Sequence, residues 1–319
     1  MRSLLPTPLG VRLFPVHGKP MERGQQRPLV RLAHVTDLHF CTAELPRYPS
    51  GPAVLARTVA ALNAQDLDAV VFSGDLFDLP ERLHEDAPAF AEIMRDLRHP
   101  WYVAFGNHDV EGRRAHRRKA YLSGILGDHG ISRSAHPWYH APIGPGVHLV
   151  VLDTTDNGED DYLTWRGHFS DRQAHWLDGK LAELSGETVV LALHHPPVEP
   201  YPLMAPLKFS EPDKRRLKRV LQKHAHAPVM LCGHYHMAAC LPFAHTGVMA
   251  GPGLIEHPHQ YRIFDIRPES GLITFRAEEV EIPEGECLGC VKRSARLRSR
   301  LLGNLSHAHS GHLRLPEAR

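Results

Sequence analysis

Residues 228–239 read Pro-Val-Met-Leu-Cys-Gly-His-Tyr-His-Met-Ala-Ala. In this stretch the apolar run of residues 229–232 ends at Gly233, and two histidines, His234 and His236, follow one residue apart. A buried strand that ends in a glycine turn places the next side chains at the carboxyl edge of an α/β sheet, where such sheets bind their ligands. A pair of surface-turn histidines is the alternative interpretation, because the chain contains 25 histidines.

The same order, an apolar strand followed by polar side chains, occurs four more times upstream. Strands are predicted over 30–36, 69–73, 101–105 and 188–193. The polar residues that follow them are Asp37 and His39, Asp75 and Asp78, Asn107, His108 and Asp109, and His194 and His195. Helices predicted over 54–65 and 88–98 separate the first three strands, an alternation typical of parallel βαβ units. We therefore expect all five polar groups at one edge of an α/β fold.

The rest of the chain continues this pattern and ends in a short antiparallel section. A basic helix is predicted within 111–130, a strand over 147–152, and helices over 170–184 and 213–224. Short strands over 247–250, 261–266 and 272–277 follow, the last two joined by a Pro-Glu-Ser-Gly turn. We predict a weakly ordered lead-in at 1–28, one domain at 29–281, and a basic, histidine-containing tail at 282–319.

The composition argues against several classes of protein. Lys and Arg total 37 against 36 Asp and Glu, so the net charge indicates no nucleic-acid partner. No apolar run approaches the roughly 18–20 residues that span a membrane, and no secretory signal is evident. Five scattered cysteines argue against a disulfide framework and fit a reducing compartment. We expect a cytoplasmic protein without a membrane partner, and the oligomeric state stays open.

The polar side chains at the strand ends are carboxylates, an amide and imidazoles, with no cysteine among them. Ligands of this kind suit Mn²⁺, Fe²⁺ or Fe³⁺, and Zn²⁺ in a reactive site better than they suit a thiolate-rich structural zinc site. Their number exceeds the needs of one tetrahedral ion and indicates two. Two ions about 3.5–4 Å apart can hold both the attacking and the leaving oxygen of a phosphoryl displacement.

In this order, the five motifs resemble those of the calcineurin-like metallophosphoesterases. The matching stretches are Asp37-Leu38-His39, Gly74-Asp75-Leu76-Phe77-Asp78, Gly106-Asn107-His108-Asp109, His194-His195-Pro196-Pro197 and Gly233-His234-Tyr235-His236. The resemblance covers about residues 30 to 280. It implies a four-layer α/β/β/α sandwich, in which two mixed sheets are flanked by helices and a dimetal site lies at the strand ends.

The resemblance also implies a role for each matching residue. One ion would be held by Asp37, His39, Asp75 and His236, and the second by Asp75, Asn107, His194 and His234. Asp75 would bridge the two ions, and a hydroxide that they share would attack phosphorus. His108 would stabilise the phosphoryl group or protonate the leaving oxygen, Asp109 would orient His108, and both Asn107 and His108 would contact the substrate.

Several residues keep two interpretations. His195 either faces the substrate or packs, because alternate side chains of an extended segment point in opposite directions. Asp78 either touches a metal ion or forms a hydrogen bond to one of its ligands. Phe40 and Tyr235 either stack on an aromatic group of the substrate or pack in the core. Cys287 and Cys290 are interpreted as unpaired surface thiols in preference to a zinc site with the tail histidines.

Within the family, the Asp-Leu-His-Phe start and the helix containing Gln173, Trp176 and Leu177 look most like the bacterial cyclic-nucleotide phosphodiesterase branch. We predict a phosphodiesterase acting on a small phosphoester, with a 3′,5′-cyclic nucleotide as the first substrate to test. A phosphomonoesterase and a hydrolase of nucleotide or lipid pyrophosphates are alternatives with the same fold. A non-catalytic scaffold is the alternative from another class, and the complete set of candidate ligands favours catalysis over it.

Overall fold

The structure is a computed structural model, and it describes residues 11–14, 29–45, 48, 50–110, 115–127, 136–155, 165–200, 209–256, 259–269, 272–281 and 310–314. The described strands are β1 (Val11–Phe14), β2 (Val30–Val35), β3 (Ala69–Ser73), β4 (Trp101–Ala104), β5 (Tyr139–Gly144), β6 (Val147–Val151), β7 (Thr188–Ala192), β8 (Val229–Cys232), β9 (Ala239–Phe243), β10 (Thr246–Ala250), β11 (Gln260–Glu269), β12 (Leu272–Glu281) and β13 (Ser310–Arg314). The helices are α1 (Gly51–Asn63), α2 (Leu83–Met94), α3 (Asn107–Val110), α4 (Ala115–Leu126), α5 (Asp171–Glu183) and α6 (Glu211–Lys223). A 3₁₀ turn at Pro80–Arg82 precedes α2.

The strands form two mixed sheets. The first has the order β1-β13-β12-β11-β2-β3-β4, and its β2, β3 and β4 are parallel. The second has the order β5-β6-β7-β8-β10-β9, in which the four central strands are parallel and both edge strands are antiparallel. Parallel strands end at the same edge of their sheet, so the loops after β2, β3 and β4 lie together, as do those after β7 and β8.

Alternate residues of the second sheet bury its two faces against different partners. In β6, Leu149 and Val151 share an apolar core with Leu32 of the first sheet, whereas Val150 packs with Leu177 of α5. This alternation follows from the two-residue period of a strand, and it places one sheet face to face with the other. The predicted architecture of two mixed sheets flanked by helices is thereby confirmed.

An aromatic cluster beneath the first sheet's loops supports two of the sequence motifs. The ring of Phe90 in α2 lies 5.6 Å from that of Phe40, which follows His39, and 5.3 Å from that of Phe77, which precedes Asp78. Phe40 and Phe77 also form an isolated parallel bridge. The loops after β2 and β3 are therefore held together both by backbone pairing and by the packing of their phenylalanine rings on Phe90.

The sequence prediction missed both edge strands of the second sheet. Each contains a proline, Pro142 in β5 and Pro242 in β9. A proline argues against a strand in sequence-based prediction because it has no backbone N–H to donate to a neighbouring strand. An edge strand tolerates proline where its backbone nitrogen faces away from the sheet. Helix α2 also begins at Leu83 instead of the predicted residue 88, so Pro88 lies within the helix and not at its start.

Two short strands come from the segments that were predicted to be lead-in and tail. β1 pairs with β13, and β13 pairs with β12 at the edge of the first sheet. Residues 282–309, which include Cys287 and Cys290, lie outside the described part of the chain, and the domain boundaries stay a prediction. Among the described residues, no helix has the length and apolar character needed to cross a membrane.

Candidate metal centre

The edges of the two sheets meet through hydrogen bonds between motif loops. The backbone N–H of His39 donates to the carbonyl oxygen of Asp75 at 3.0 Å, so the loops after β2 and β3 run side by side. The backbone N–H of His234, from the second sheet, donates to the two carboxylate oxygens of Asp37 at 3.0 and 3.1 Å. Asp37 thus joins the two sheets, and the side chains after β2, β3 and β8 converge on one buried volume.

A first cluster contains Asp37, His39, Asp75 and His236, with one candidate ligand atom from each within 4.8 Å of all the others. The Nε2 atoms of His39 and His236 are 3.0 Å apart. Asp37 Oδ1 lies 3.4 Å from His236 Nε2, and Asp75 Oδ2 lies 3.9 Å from His39 Nε2. These four residues are the set predicted for the first ion.

A second cluster contains His194 at its centre. Its Nε2 lies 3.2 Å from Asp75 Oδ2 and 3.1 Å from Asn107 Oδ1. The rings of His194 and His234 have centroids 5.1 Å apart, and one ring nitrogen from each of His194, His195 and His234 lies within 4.8 Å of the others. The structure therefore brings together the residues predicted for the second ion, with Asp75 Oδ2 facing both clusters.

The hydrogen bonds of the first cluster test whether a cation fits there. Nδ1 of His39 lies 3.0 Å from Asp78 Oδ1, and Nδ1 of His236 lies 3.1 Å from Glu256 Oε1. Because an ionised carboxylate only accepts, both Nδ1 atoms are assigned as donors, and a neutral ring then carries its lone pair at Nε2. When both rings are neutral, two Nε2 lone pairs 3.0 Å apart cannot bond to each other, whereas one shared cation, either a proton or a metal ion, can bind both.

The second cluster passes the same test. Nδ1 of His194 lies 2.8 Å from the carbonyl oxygen of Ser73, so Nδ1 is the donor of this hydrogen bond. In a neutral ring the lone pair is then at Nε2, where it faces two oxygens, Asn107 Oδ1 and Asp75 Oδ2. Nε2 of His234 is buried and has no hydrogen-bond partner among the described residues. Burial lowers the pKa of His234 to about 3, so the ring is neutral at neutral pH and one of its two nitrogens carries a lone pair. The donor set of both clusters fits metal ions.

The buried carboxylates attract positive charge to this volume. Burial by itself lowers the pKa of His236, but Asp37 and Glu256 outweigh it and raise that pKa to about 10. Burial likewise disfavours the charged form of His194, but Asp75 and Asp37 raise its pKa to about 9. In the protein alone, a proton at each Nε2 thus balances the carboxylates. A divalent ion in each cluster would supply the same positive charge.

The backbone is strained at most of the predicted ligands. Asp37, His39, Asp75, His234 and His236 have φ angles of 52°, 43°, 49°, 73° and 51°. Only two other non-glycine residues in the described part of the chain have positive φ. Such left-handed conformations are costly for residues other than glycine, and they persist where surrounding structure imposes them, commonly at functional sites.

Two motif glycines are required by close packing against the predicted ligands. A Cβ atom at Gly106 would lie 2.2 Å from Asp75 Oδ1, and one at Gly74 would lie 2.5 Å from Nδ1 of His194. Gly74 also has a φ of +95°, which a larger residue adopts only with strain. These glycines let the loops approach the central carboxylate and imidazole closely.

Asp78 and Glu256 accept hydrogen bonds from the two imidazoles of the first cluster. Asp78 accepts a hydrogen bond from His39, as the second of its two predicted interpretations has it, but it also forms a metal-capable group with His39 and His108, so both interpretations stay open. Glu256, which accepts from His236, was not predicted. Its signal was present in the sequence, because it follows β10, a parallel strand that ends at the same edge as β8. Carboxylates that bond to ligand imidazoles fix the ring orientation and raise ligand basicity.

The predicted partner of His108 is wrong. Both carboxylate oxygens of Asp109 accept backbone N–H groups, from Gly106 at 2.7 Å and from Phe77 at 3.0 Å. Nδ1 of His108 instead lies 3.0 Å from the carbonyl oxygen of Asp78. The ring of His108 is therefore oriented by a backbone carbonyl, while Asp109 joins the two motif loops. Burial and the nearby charge of Asp75 raise the pKa of Asp109 to about 7.

Three residues with open interpretations are buried. His195 is fully buried, and its Nδ1 lies 2.8 Å from the hydroxyl oxygen of Thr154. Phe40 packs with the aromatic cluster described above, and the hydroxyl group of Tyr235 donates to the carbonyl oxygen of Val198 at 3.2 Å. For Phe40 and Tyr235 these contacts match the packing alternative, whereas a ring nitrogen of His195 lies within 4.8 Å of those of His194 and His234, so both interpretations of His195 stay open.

Comparisons with known proteins identify the family of this chain. The family model described as calcineurin-like phosphoesterase matches residues 30–238. The chain is 31% identical over 230 residues to a probable cyclic nucleotide phosphodiesterase of Rhodococcus erythropolis, covering 68% of each chain. It is 30% identical over 221 residues to a cAMP/cGMP dual specificity phosphodiesterase of Mycobacterium tuberculosis, covering 68% of this chain and 65% of that one.

A solved structure supports the fold. A dimetal phosphatase from Danio rerio superposes with a TM-score of 0.61 at 17% identity, covering 81% of this chain and 100% of that chain. At this identity the likeness concerns the arrangement of strands and helices alone.

We expect metal loading at pH 7.5 to release at least about two protons per chain, two of them from imidazoles and any further ones from metal-bound water. His194 and His236 have pKa values raised to about 9 and 10, so both are protonated at this pH in the protein alone, whereas ligation requires both in neutral form. Apparent metal affinity should consequently rise with pH from neutral toward about pH 10. Titration calorimetry in two buffers of different ionisation enthalpy measures the protons released. Loading without proton release would contradict this charge balance.

The variant Asp78→Asn should bind metal about 10–100-fold more weakly, because a neutral amide oxygen is a weaker acceptor for the His39 Nδ1–H than a carboxylate. A competition titration with a chelator measures the change. Asp96→Asn, an exposed substitution of the same type after α2, is the matched control and should bind as the original chain does. Equal affinity of both variants would show that Asp78 does not support the centre.

Proposed function

The chain belongs to the calcineurin-like phosphoesterase family, and from that premise we propose that it is a dinuclear, metal-dependent phosphodiesterase. It is a hydrolase of phosphoesters. The finer proposal has three parts: the ligand sets of the two ions, the role of His108, and a diester substrate. Mn²⁺, Fe²⁺ or Fe³⁺ and Zn²⁺ are the ions that the oxygen and nitrogen donors suit.

The position of Asp75 carries the dinuclear part of the proposal. Its Oδ2 atom is 3.9 Å from Nε2 of His39, in the first cluster, and 3.2 Å from Nε2 of His194, in the second. Nearby charges hold the pKa of Asp75 well below its ordinary value, although burial alone would raise it. One ionised carboxylate between two groups of imidazoles is the arrangement that two adjacent cations require.

The bound ions would polarise the phosphoryl group and lower the pKa of a water molecule, which serves as the nucleophile. The chain supplies the geometry for this chemistry. Asp37, His39 and His236 define one position, and Asn107, His194 and His234 define the other. Carboxylates and carbonyl groups behind the rings fix each imidazole, so little reorganisation is needed when the substrate binds.

We propose that His108 protonates the leaving oxygen. Its Nδ1 donates to the carbonyl oxygen of Asp78, so the proton that it can hold or transfer is the one at Nε2. Its backbone N–H donates to Asp75 Oδ1 at 2.8 Å, which ties it to the bridging carboxylate. We therefore assign His108 the role of general acid: with a proton at Nε2 it would lie beside the proposed ion positions and would donate that proton to the leaving oxygen.

A 3′,5′-cyclic nucleotide is the substrate that we propose first. The support is the similarity to the two proteins from R. erythropolis and M. tuberculosis, whose names state cyclic nucleotide phosphodiesterase activity. We also place the protein in the cytoplasm, a proposal supported by the free thiols of Cys41, Cys232 and Cys240.

The variant His108→Ala should keep both ions and lose about 10²–10⁴-fold in kcat, the usual contribution of a positioned acid. The loss should be larger for a poor leaving group such as an alkoxide than for p-nitrophenolate, which needs little protonation. Steady-state kinetics and metal analysis of the same preparation measure both effects.

His175→Ala, an exposed histidine substitution in α5, is the matched control and should keep full activity. Full activity of His108→Ala on a poor leaving group would refute the acid role. Loss of metal in that variant would instead make His108 a ligand.

The substrate proposal is tested by comparing bis-p-nitrophenyl phosphate with p-nitrophenyl phosphate on the chelated and Mn²⁺-reloaded protein, followed by 3′,5′-cyclic AMP and GMP. We expect turnover of the diester to exceed that of the monoester and to depend on added metal. A preference for the monoester would indicate a phosphatase. Absence of turnover on every substrate, with both ions bound, would favour the scaffold.

A further inference from the structure

A cavity of about 300 Å³ lies between the start of α2 and the side of α4. We call it the α2–α4 pocket, and the lining residues that matter here are Pro80, Glu81, His84, Arg117, Arg118 and Tyr121. None of these residues belongs to the clusters described above. The pocket is large enough for a planar heterocycle as well as for a small anion.

Short chain connections join the pocket to His108. The carbonyl oxygen of Asp78 accepts the hydrogen bond of His108 Nδ1, and Pro80 lies two residues further along. Two residues span at most about 7 Å. Helix α3, which carries His108, packs against both the 3₁₀ turn at Pro80–Arg82 and α4. A ligand held at the proposed leaving-group side of the centre is therefore close to this pocket.

Helix α4 presents its pocket residues from a fixed position. Leu122 and Leu126 are buried in the core, and Lys119 forms an ion pair with the fully buried Asp153 at the end of β6. Because the helix is anchored both to the core and to the second sheet, Arg117 and Tyr121, one helical turn apart, line the cavity without a loop rearrangement.

The lining combines donors, an acceptor and aromatic faces. Arg117 and Arg118 offer guanidinium donors, and Glu81 is a carboxylate acceptor. The rings of His84 and Tyr121 pack edge to face with centroids 4.7 Å apart. A phosphate group would use the arginines but would be repelled by Glu81. A nucleobase uses all of these groups, because its edges carry both acceptors and N–H donors and its faces stack on aromatic rings and guanidinium planes.

We propose that the α2–α4 pocket binds the purine base of a nucleotide whose phosphodiester lies at the metal centre. This inference rests on the proposed function, which supplies the phosphodiester substrate. It makes Arg117, Arg118 and Tyr121 the residues that recognise the base of that substrate. They bind the part of the substrate that does not react, so they lower KM for nucleotides and leave small base-free diesters unaffected.

Binding of a free nucleoside tests the pocket without any reaction. Titration calorimetry of the Mn²⁺-loaded full chain with adenosine should show binding that weakens about tenfold or more in Arg117→Ala/Arg118→Ala and in Tyr121→Leu. Tyr121→Phe keeps the ring and should bind adenosine as the original chain does. The double variant Arg215→Ala/Arg219→Ala removes two exposed arginines from α6 and is the matched control for charge.

Kinetics provide the second test. The ratio of kcat/KM for 3′,5′-cyclic AMP to that for methyl p-nitrophenyl phosphate should fall about tenfold in the Arg117→Ala/Arg118→Ala chain through KM, and should not change in the control. The pocket assignment is overturned if the original chain does not bind adenosine, or if the double variant binds it equally well. If no diester is hydrolysed, the proposed function is wrong. The adenosine titration still shows whether the α2–α4 pocket binds a purine base.

Discussion

Two buried carboxylates at the junction of the sheets, Asp37 and Asp75, determine how the rest of the centre is arranged. Charges of this kind are costly to bury unless they are paired or bind metal ions. Here the imidazoles of His236 and His194 face them, and the backbone N–H of His234 donates to Asp37 across the junction. The contacts that close the sandwich are therefore the contacts that shape the site, so fold and chemistry share one electrostatic requirement.

The same requirement explains why strain is concentrated here. Five predicted ligands have positive φ, and the glycines before Asp75 and Asn107 leave no space for a Cβ atom. Such a backbone is destabilising by itself, and regular strands on one side and the buried aromatic cluster of Phe40, Phe77 and Phe90 on the other hold it in place. The candidate ligands are thus held in place by residues outside the two clusters.

The central strands, and the convergence of the candidate ligands at their ends, were predictable because the signals are local. Apolar runs such as Ala69–Ser73 specify buried parallel strands, and the polar residues after each run must then meet at one edge. The edge strands were missed because Pro142 and Pro242 conceal them. The role of Asp109 was mispredicted because sequence adjacency does not show where a carboxylate points, and Glu256 contacts His236 from 20 residues away. Side-chain partners that depend on tertiary packing leave no periodic signal.

The number of metal ions per chain tests the central claim most directly. The purified full chain would be reloaded with Mn²⁺, desalted and analysed by mass spectrometry of its metal and protein content, in parallel with the variant Asp75→Ala. A carboxylate shared by both clusters predicts two ions in the original chain and fewer than two in the variant. One ion in the original chain, or two in both, would contradict the bridging position of Asp75.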